Sequence, residues 1–290
     1  MDKILFPHLN ITLDHVGKTV DVFGFTIAFY GIIIAIGMLV GVSCILREAK
    51  RCGFSEDDYL DVCIWTIVFS VIGARLYYVI FSWDSYKDNL LNILNLRQGG
   101  LAIYGGVLTG IFMVYIMCRK KKLDYLTALD ICIVGVIIGQ IFGRWGNFFN
   151  REAFGQYSDG LLAMQLPINA VRSMNDITAE MLEHAVEIDG LKFVSVHPTF
   201  LYESMWNLAV LVIMLLTRKK KKFNGQIFAT YLIGYGCGRF WIEGLRTDQL
   251  KLWLSHIAVS QVVAVGMVVV GIILSVYQYR KHPLMPKSES

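Results

Sequence analysis

Proline, charge and cysteine are all scarce in this 290-residue sequence. Only five prolines interrupt it, so long helices can run unbroken. Charged residues are 17% of the chain, against about 25% in soluble domains, which leaves too little polar surface to wrap two water-soluble domains. Six cysteines in a chain this long, with no CxxC pair, exclude a disulfide scaffold and point to no zinc site. Cys44, Cys52 and Cys118 fall near one face of the membrane, and Cys63, Cys132 and Cys237 lie in apolar runs, where a buried thiol is the expectation. HExxH, GxSG and GxGD strings are missing, which argues against the intramembrane proteases. Carboxylates are too sparse for metal-assisted phosphoryl transfer, and neither metal nor cofactor is expected. There is no internal repeat or pair of broken helices of the kind transporters carry. A secretory signal is also lacking: Met1 to Asp21 is mixed polar, and the apolar run after it is too long and has no small-residue cleavage site.

What the sequence does have is apolar length. Apolar residues make up 55%, and the mean hydropathy of +0.53 is more than water tolerates in a chain of this size. Seven stretches reach the roughly 20 residues needed to span lipid: about 23–46, 58–82, 100–118, 124–146, 200–217, 224–243 and 256–278. The expected fold is an all-α integral membrane protein, a bundle of seven transmembrane helices in one polytopic domain, 1–281. It carries a small extracytoplasmic head at 147–199, and 282–290 is expected to be a disordered cytoplasmic tail.

Orientation follows from the basic residues. Arg119 to Lys122 and Arg218 to Lys222, with Arg47, Lys50, Arg51, Arg280, Lys281 and Lys287, put 15 of the 27 Lys and Arg on one side. That side is expected to be cytoplasmic, with the N-terminus and head outside. These runs read as topology markers rather than as a nucleic-acid surface.

Three arginines remain inside spans. A cation there costs about 2.5–3.5 kcal/mol on insertion scales, so each needs a reason. At about 1.5 Å per residue, Arg75, Arg144 and Arg239 all fall in the outer half, as do Tyr30 and Tyr104. Arg239, Glu243 and Arg246 lie at i, i+4 and i+7 on one face, so Glu243 can pair with either arginine. Arg144 and Asn147 lie at i, i+3. Several guanidiniums and an amide at headgroup depth suit a phosphate diester; the alternative is an Arg–Glu network that only joins helices. Five GxxxG strings fit close helix packing. The stretch from Gly99 to Gly106 brackets Tyr104 with paired glycines. It either turns backbone N–H groups toward an anion or packs closely like the rest.

The string Gly143-Arg144-Trp145-Gly146-Asn147-Phe148-Phe149-Asn150-Arg151-Glu152, with Phe154-Gly155, closely resembles the signature of the prolipoprotein diacylglyceryl transferases. Other matches run along almost the whole chain. They are Phe29-Tyr30-Gly31 in the first span, Gly73-Ala74-Arg75-Leu76 in the second, His197-Pro198 with Leu201-Tyr202-Glu203 opening the fifth, and Arg239 to Arg246 in the sixth. The resemblance implies transfer of a diacylglyceryl group from phosphatidylglycerol to the lipobox cysteine of a prolipoprotein signal peptide. A thioether forms and glycerol phosphate leaves, as the first step of bacterial lipoprotein maturation in the cytoplasmic membrane.

On that resemblance Arg144 and Arg239 hold the lipid phosphate, Glu243 orients Arg239, and Asn147 bonds the headgroup. Glu152 and Gly155 shape the rim where the signal peptide approaches, Arg246 completes the field, and Tyr30 and Tyr104 flank the reacting carbon. The sequence departs from the family at one place: many members carry His-Gly-Gly-Leu where this one reads Tyr104-Gly105-Gly106-Val107. A phenol with a pKa near 10 is a poor base at neutral pH, so Tyr104 is expected to donate a hydrogen bond or orient, or the base lies elsewhere. His197, in its His-Pro setting, is as well explained by a structural role. An anionic-lipid binding or transport protein, or another lipid-headgroup transferase, would draw on the same arginines.

Overall fold

The computed structural model describes residues 3–96, 99–251 and 257–281; the tail expected to be disordered, 282–290, lies outside them. The chain divides into two compact units, Val42–Cys132, and Met1–Gly41 with Ile133–Ser290.

The smaller unit is built on α2 (Glu56–Phe81) and α3 (Ile103–Lys121). Ser55 caps α2 by accepting from the Asp58 N–H, and Glu56, Asp57 and Asp58 fill its first turn, where the helix dipole favours negative charge. Arg119, Lys120 and Lys121 complement the other pole of α3. Lys121 joins the two helices there, at 2.9 Å from Asp58 and 2.6 Å from Asp61. Small residues let the pair pack closely: a Cβ on Gly73 would strike Thr109, and one on Gly105 would lie 2.5 Å from the Gly73 carbonyl oxygen. Tyr59, Val62, Met117, Cys118, Ala128 and Ile131 close the core at the Lys121 end.

The larger unit contains α6 (Thr199–Thr217), α7 (Gln226–Leu245) and α8 (Val259–Lys281), with the beginning of α1 (Phe29–Arg51) and most of α4 (Tyr125–Asn150). Gly238 faces the Trp206 indole, whose N–H donates to the Gly234 carbonyl at 2.8 Å, tying α6 to α7.

By length and composition six helices among the described residues can cross a membrane: α1, α2, α3, α4, α6 with its following turn to Lys220, and α8. Their positions follow the apolar runs. α7 is long enough, at 20 residues, but is not among them; its glycines and its two charges, Arg239 and Glu243, dilute its apolar character.

The head departs from the expected all-α fold, because it is built on a sheet. Its strands run in the order β2 (Ile11–Leu13), β1 (Ile4–Phe6), β5 (Met164–Pro167), β7 (Leu191–Val196), β6 (Val186–Ile188), each antiparallel to its neighbour. The first two come from the N-terminus, so the head is larger than 147–199. Ile4, Leu166, Val194 and Val196 are all fully buried in its core, with Met181 from the short helix α5 (Ala179–Glu183). A hairpin of β3 (Thr19–Val22) and β4 (Phe25–Ala28) stands where the first span was expected to begin. Valine and phenylalanine alternate with polar residues there, the period of a strand, and α1 starts only at Phe29. Cys63, Cys118 and Cys132 are buried as expected, whereas Cys52 and Cys237 are exposed.

Candidate active site

Arg144 and Asn147 come from the last turns of α4, one turn apart on one face. The helix stops at Asn150 because Arg151 turns left-handed at φ 51°, the usual way of ending a helix. The Arg151 side chain, 1% exposed, is turned into the protein and donates to the carbonyls of Val16 and Phe149. That turn directs Glu152 back along α4. Its carboxylate accepts from Asn147 Nδ2 at 3.1 Å and Asn150 Nδ2 at 3.0 Å, and pairs with Arg172.

The centre of the group is Glu203, on the first turns of α6 and 4% exposed. Arg144 Nε lies 2.8 Å from its Oε2. Arg239 Nη1, from α7, donates to Oε1 at 3.2 Å and Oε2 at 3.3 Å, and Arg246 Nη1 stands 3.8 Å from Oε1. Arg239 Nη2 meets Glu243, which also has Arg246 at 3.8 Å. Arg246 then holds Asp248 through two hydrogen bonds of 2.9 and 2.7 Å. At the other end Arg144 Nη1 reaches Asn147 Oδ1 at 3.5 Å. The result is one unbroken chain: Arg172, Glu152, Asn147, Arg144, Glu203, Arg239, Glu243, Arg246, Asp248.

The cations are therefore matched by carboxylates, and the site is a balanced network rather than a bare positive cluster. A buried carboxylate fixes the plane of a guanidinium bound to it, leaving its other N–H groups aimed away. Among the described residues, Arg144 Nη2 and Arg239 Nε make no hydrogen bond. Beyond the end of α7, burial works against ionising Asp248, but the hydrogen bonds and charge of Arg246 prevail and hold its carboxyl below the usual range.

Gly155 forms the seam that carries Arg246. It bridges Arg246 in antiparallel fashion, and the next N–H, of Gln156, donates to the Leu245 carbonyl at 2.8 Å. A side chain at Gly155 would lie 2.7 Å from His197 Cβ. His197 has its Nδ1 3.3 Å from the Tyr202 hydroxyl, and burial lowers the pKa of its imidazole. The Tyr30 ring covers Gly146, two residues along α4 from Arg144, where a Cβ would fall 2.6 Å from it.

Arg144, Asn147, Glu152, Gly155, Arg239, Glu243, Arg246 and Tyr30 thus come together. Tyr104 belongs to the other unit, on the first turn of α3. So does Arg75, which has a different part from the one its depth suggested. All five of its N–H groups are directed at backbone carbonyls, those of Asn92, Ile93, Asn95, Gly99 and Gly100. The paired glycines therefore present carbonyl oxygens to a cation. Sequence reasoning left out Asp248 and Arg172, and named Glu203 only within the motif opening the fifth span, without a role. For Glu203 the signal was there, a lone carboxylate near the start of an apolar run.

Six helices among the described residues long and apolar enough to span, with a buried Arg–carboxylate network joining α4, α6 and α7, define a multi-pass membrane protein. Residues 18–277 match the family described as Prolipoprotein diacylglyceryl transferase. The chain belongs to that family, and so to the transferase class of enzymes. Three similar proteins bear the name phosphatidylglycerol–prolipoprotein diacylglyceryl transferase. That of Finegoldia magna is 41% identical over 249 residues, 86% of this chain and 89% of its own. The Clostridioides difficile protein is 41% identical over 249 residues, 86% and 90% of the two chains. The Streptococcus suis protein is 42% identical over 250 residues, 86% of each.

Proposed function

We propose that this protein transfers the diacylglyceryl group of phosphatidylglycerol to the lipobox cysteine thiol in the signal peptide of a prolipoprotein. The sulfur attacks the glycerol carbon that bears the phosphate. The S–C bond forms as the C–O bond breaks, the C–O electron pair leaves with glycerol phosphate, and the thiol gives up its proton. Charge grows on the departing phosphate, where fixed donors stabilise the transition state most.

The single observation that carries this reading is that guanidiniums from two helices, Arg144 and Arg239, are held on one buried carboxylate with further N–H groups unengaged. We assign both to the lipid phosphate. Glu243 orients Arg239, Asn147 bonds the headgroup, Arg246 completes the field, and Glu152 and Gly155 shape the rim met by the signal peptide. Tyr30 and Tyr104 are assigned to the reacting carbon from their motif positions. α7 serves as a seventh span in a single polytopic domain, 1–281, with the N-terminus and head outside and the C-terminus cytoplasmic. This places the site in the outer half of the bacterial cytoplasmic membrane. The basic runs at 119–122 and 218–222 support that orientation.

The test is direct. Purified protein in phosphatidylglycerol vesicles should move radiolabelled diacylglyceryl groups to a lipobox peptide and release glycerol phosphate. Folded protein that binds the lipid but labels no peptide would overturn the reading in favour of a lipid-binding protein.

A further inference from the structure

Arg75 is 5% exposed, and its guanidinium is surrounded by the chain that joins α2 to α3. Nε donates to the Ile93 carbonyl at 2.8 Å. Nη1 donates to Gly99 at 2.7 Å and Gly100 at 2.9 Å, and Nη2 to Asn92 at 2.7 Å and Asn95 at 3.2 Å. The Tyr86 ring lies against it, 5.1 Å from centroid to guanidinium carbon. Gly99 and Gly100, at φ 80° and 79°, adopt the left-handed backbone that turns both carbonyls toward one cation; a Cβ at Gly100 would lie 2.5 Å from Arg75 Nη1.

Residues 89–96 read Asn-Leu-Leu-Asn-Ile-Leu-Asn-Leu and carry no charge. Their carbonyls turn inward while their leucines turn out: Leu91 is 77% exposed and Leu94 79%. Other backbone groups of the stretch are also satisfied within it. The Asn89 side chain accepts from the Leu91 N–H at 3.1 Å, Asn92 and Asn95 donate to the carbonyls three residues back, and Gly99 donates to Leu96. An aqueous loop has no need of such an arrangement, because water satisfies its backbone and leucines do not face it. A short 3-10 turn such as Leu90–Leu94 has every need of it within lipid, because it leaves backbone groups unpaired and each unmet polar group there is costly.

We infer that the 89–96 segment is inserted among the acyl chains, with Arg75 as an internal substitute for water and Leu90, Leu91 and Leu94 as the lipid contacts. The occupant of this surface is the bilayer itself, continuous with the lipid-facing sides of α2 and α3 from which the segment emerges. On the orientation proposed above it lies in the outer leaflet. The inference stands without the proposed reaction.

The test uses the full chain, with exposed Cys52 and Cys237 changed to alanine, in vesicles of phosphatidylglycerol and phosphatidylethanolamine. Spin labels are placed by Leu91→Cys and Leu94→Cys, with Glu187→Cys in β6 of the head as the aqueous reference and Val270→Cys in α8 as the lipid reference. Labels at 91 and 94 should collide more with oxygen than with a water-soluble nickel complex, as at 270. Accessibility matching that at 187 would overturn the insertion and leave the leucines as a surface for a protein partner. With Arg75→Gln the label at 91 should shift toward the aqueous pattern; an unchanged lipid pattern in folded protein would overturn the part given to Arg75. Should Arg75→Gln fail to fold, the labels in protein with Arg75 intact still decide the insertion.

Discussion

Arg144 and Arg239, on different helices, stand on the two oxygens of one carboxylate: Arg144 Nε is 2.8 Å from Glu203 Oε2, and Arg239 Nη1 is 3.2 Å from Oε1. Both orientations therefore depend on a residue that is assigned no contact with substrate. Removing one partner of a buried ionic pair typically costs about 3–5 kcal/mol, because the remaining charge is left uncompensated. Glu203→Gln should lower both the melting temperature and turnover, and lower turnover more than Glu243→Gln, which disturbs Arg239 and Arg246 but leaves Arg144 in place. Transfer assays and thermal melts of the two variants check this.

A lysine cannot reproduce the arrangement at position 144. The guanidinium meets Glu203 with one edge and reaches Asn147 with another, while an ammonium is a compact point charge. Arg144→Lys and Arg239→Lys should each reduce kcat by about 10²-fold or more, the scale seen on losing one directed donor to a developing anion. A melting temperature close to that of the parent would separate the catalytic loss from unfolding.

Gly155→Ala tests the seam beneath Arg246. The added carbon would lie 2.7 Å from His197 Cβ and 3.0 Å from the Leu245 carbonyl oxygen, so backbone must move. Overpacking of this kind costs about 1–3 kcal/mol. The expected outcome is a lower melting temperature with reduced transfer, read by melts and by the labelled-lipid assay.

Two groups outside the spans contribute to the response to acid. Asp248 has its pKa lowered by Arg246 despite burial, so its contribution to stability is complete above its unfolded value of about 3.9 and is lost as pH falls through the folded one. His197 has its pKa lowered by burial. The unfolded chain therefore takes up its proton first, below about 6.5, and stability falls from there down to the folded value. Melting temperatures measured from pH 7.5 downward should decline less steeply for His197→Gln below 6.5. For Asp248→Asn they should begin lower at neutral pH and flatten in the most acidic range.

Tyr104 stands where the family resemblance implies a histidine. If its phenol donates a hydrogen bond to the substrate, Tyr104→Phe should lose most of the activity and Tyr104→His should retain it. Full activity in the phenylalanine variant would remove Tyr104 from the proposed site. Steady-state transfer rates decide between the two.

Six of the spans were legible because an apolar run of about 20 residues has few fates other than lipid. Arg144 and Arg239 were legible for the converse reason, since a cation in such a run is rare enough to demand an explanation. The pairing of Glu243 with Arg239 followed from helical spacing within α7, whereas Arg246 stands past the helix end in extended backbone and reaches 3.8 Å from Glu243 from its bridge to Gly155. Glu203 was visible as a carboxylate in an apolar span, but its role was not: i, i+4 spacing says nothing about neighbours on another helix. Arg75 misled for a related reason. Its depth matched that of the other arginines, while its partners are main-chain carbonyls of the segment joining α2 to α3, which have no signature in residue type.

Alone, the sequence determined that this chain belongs in lipid, where its long helices lie, and which cations needed a reason to be buried, because hydropathy and helical period act locally. Only the tertiary structure decided that Arg144 and Arg239 share Glu203, that Arg75 holds a loop, and that the N-terminal strands complete the head's sheet. Those pairings join residues far apart in the chain. Close packing and the need to satisfy every buried charge and carbonyl select them, and these conditions exist only once the helices and strands have met.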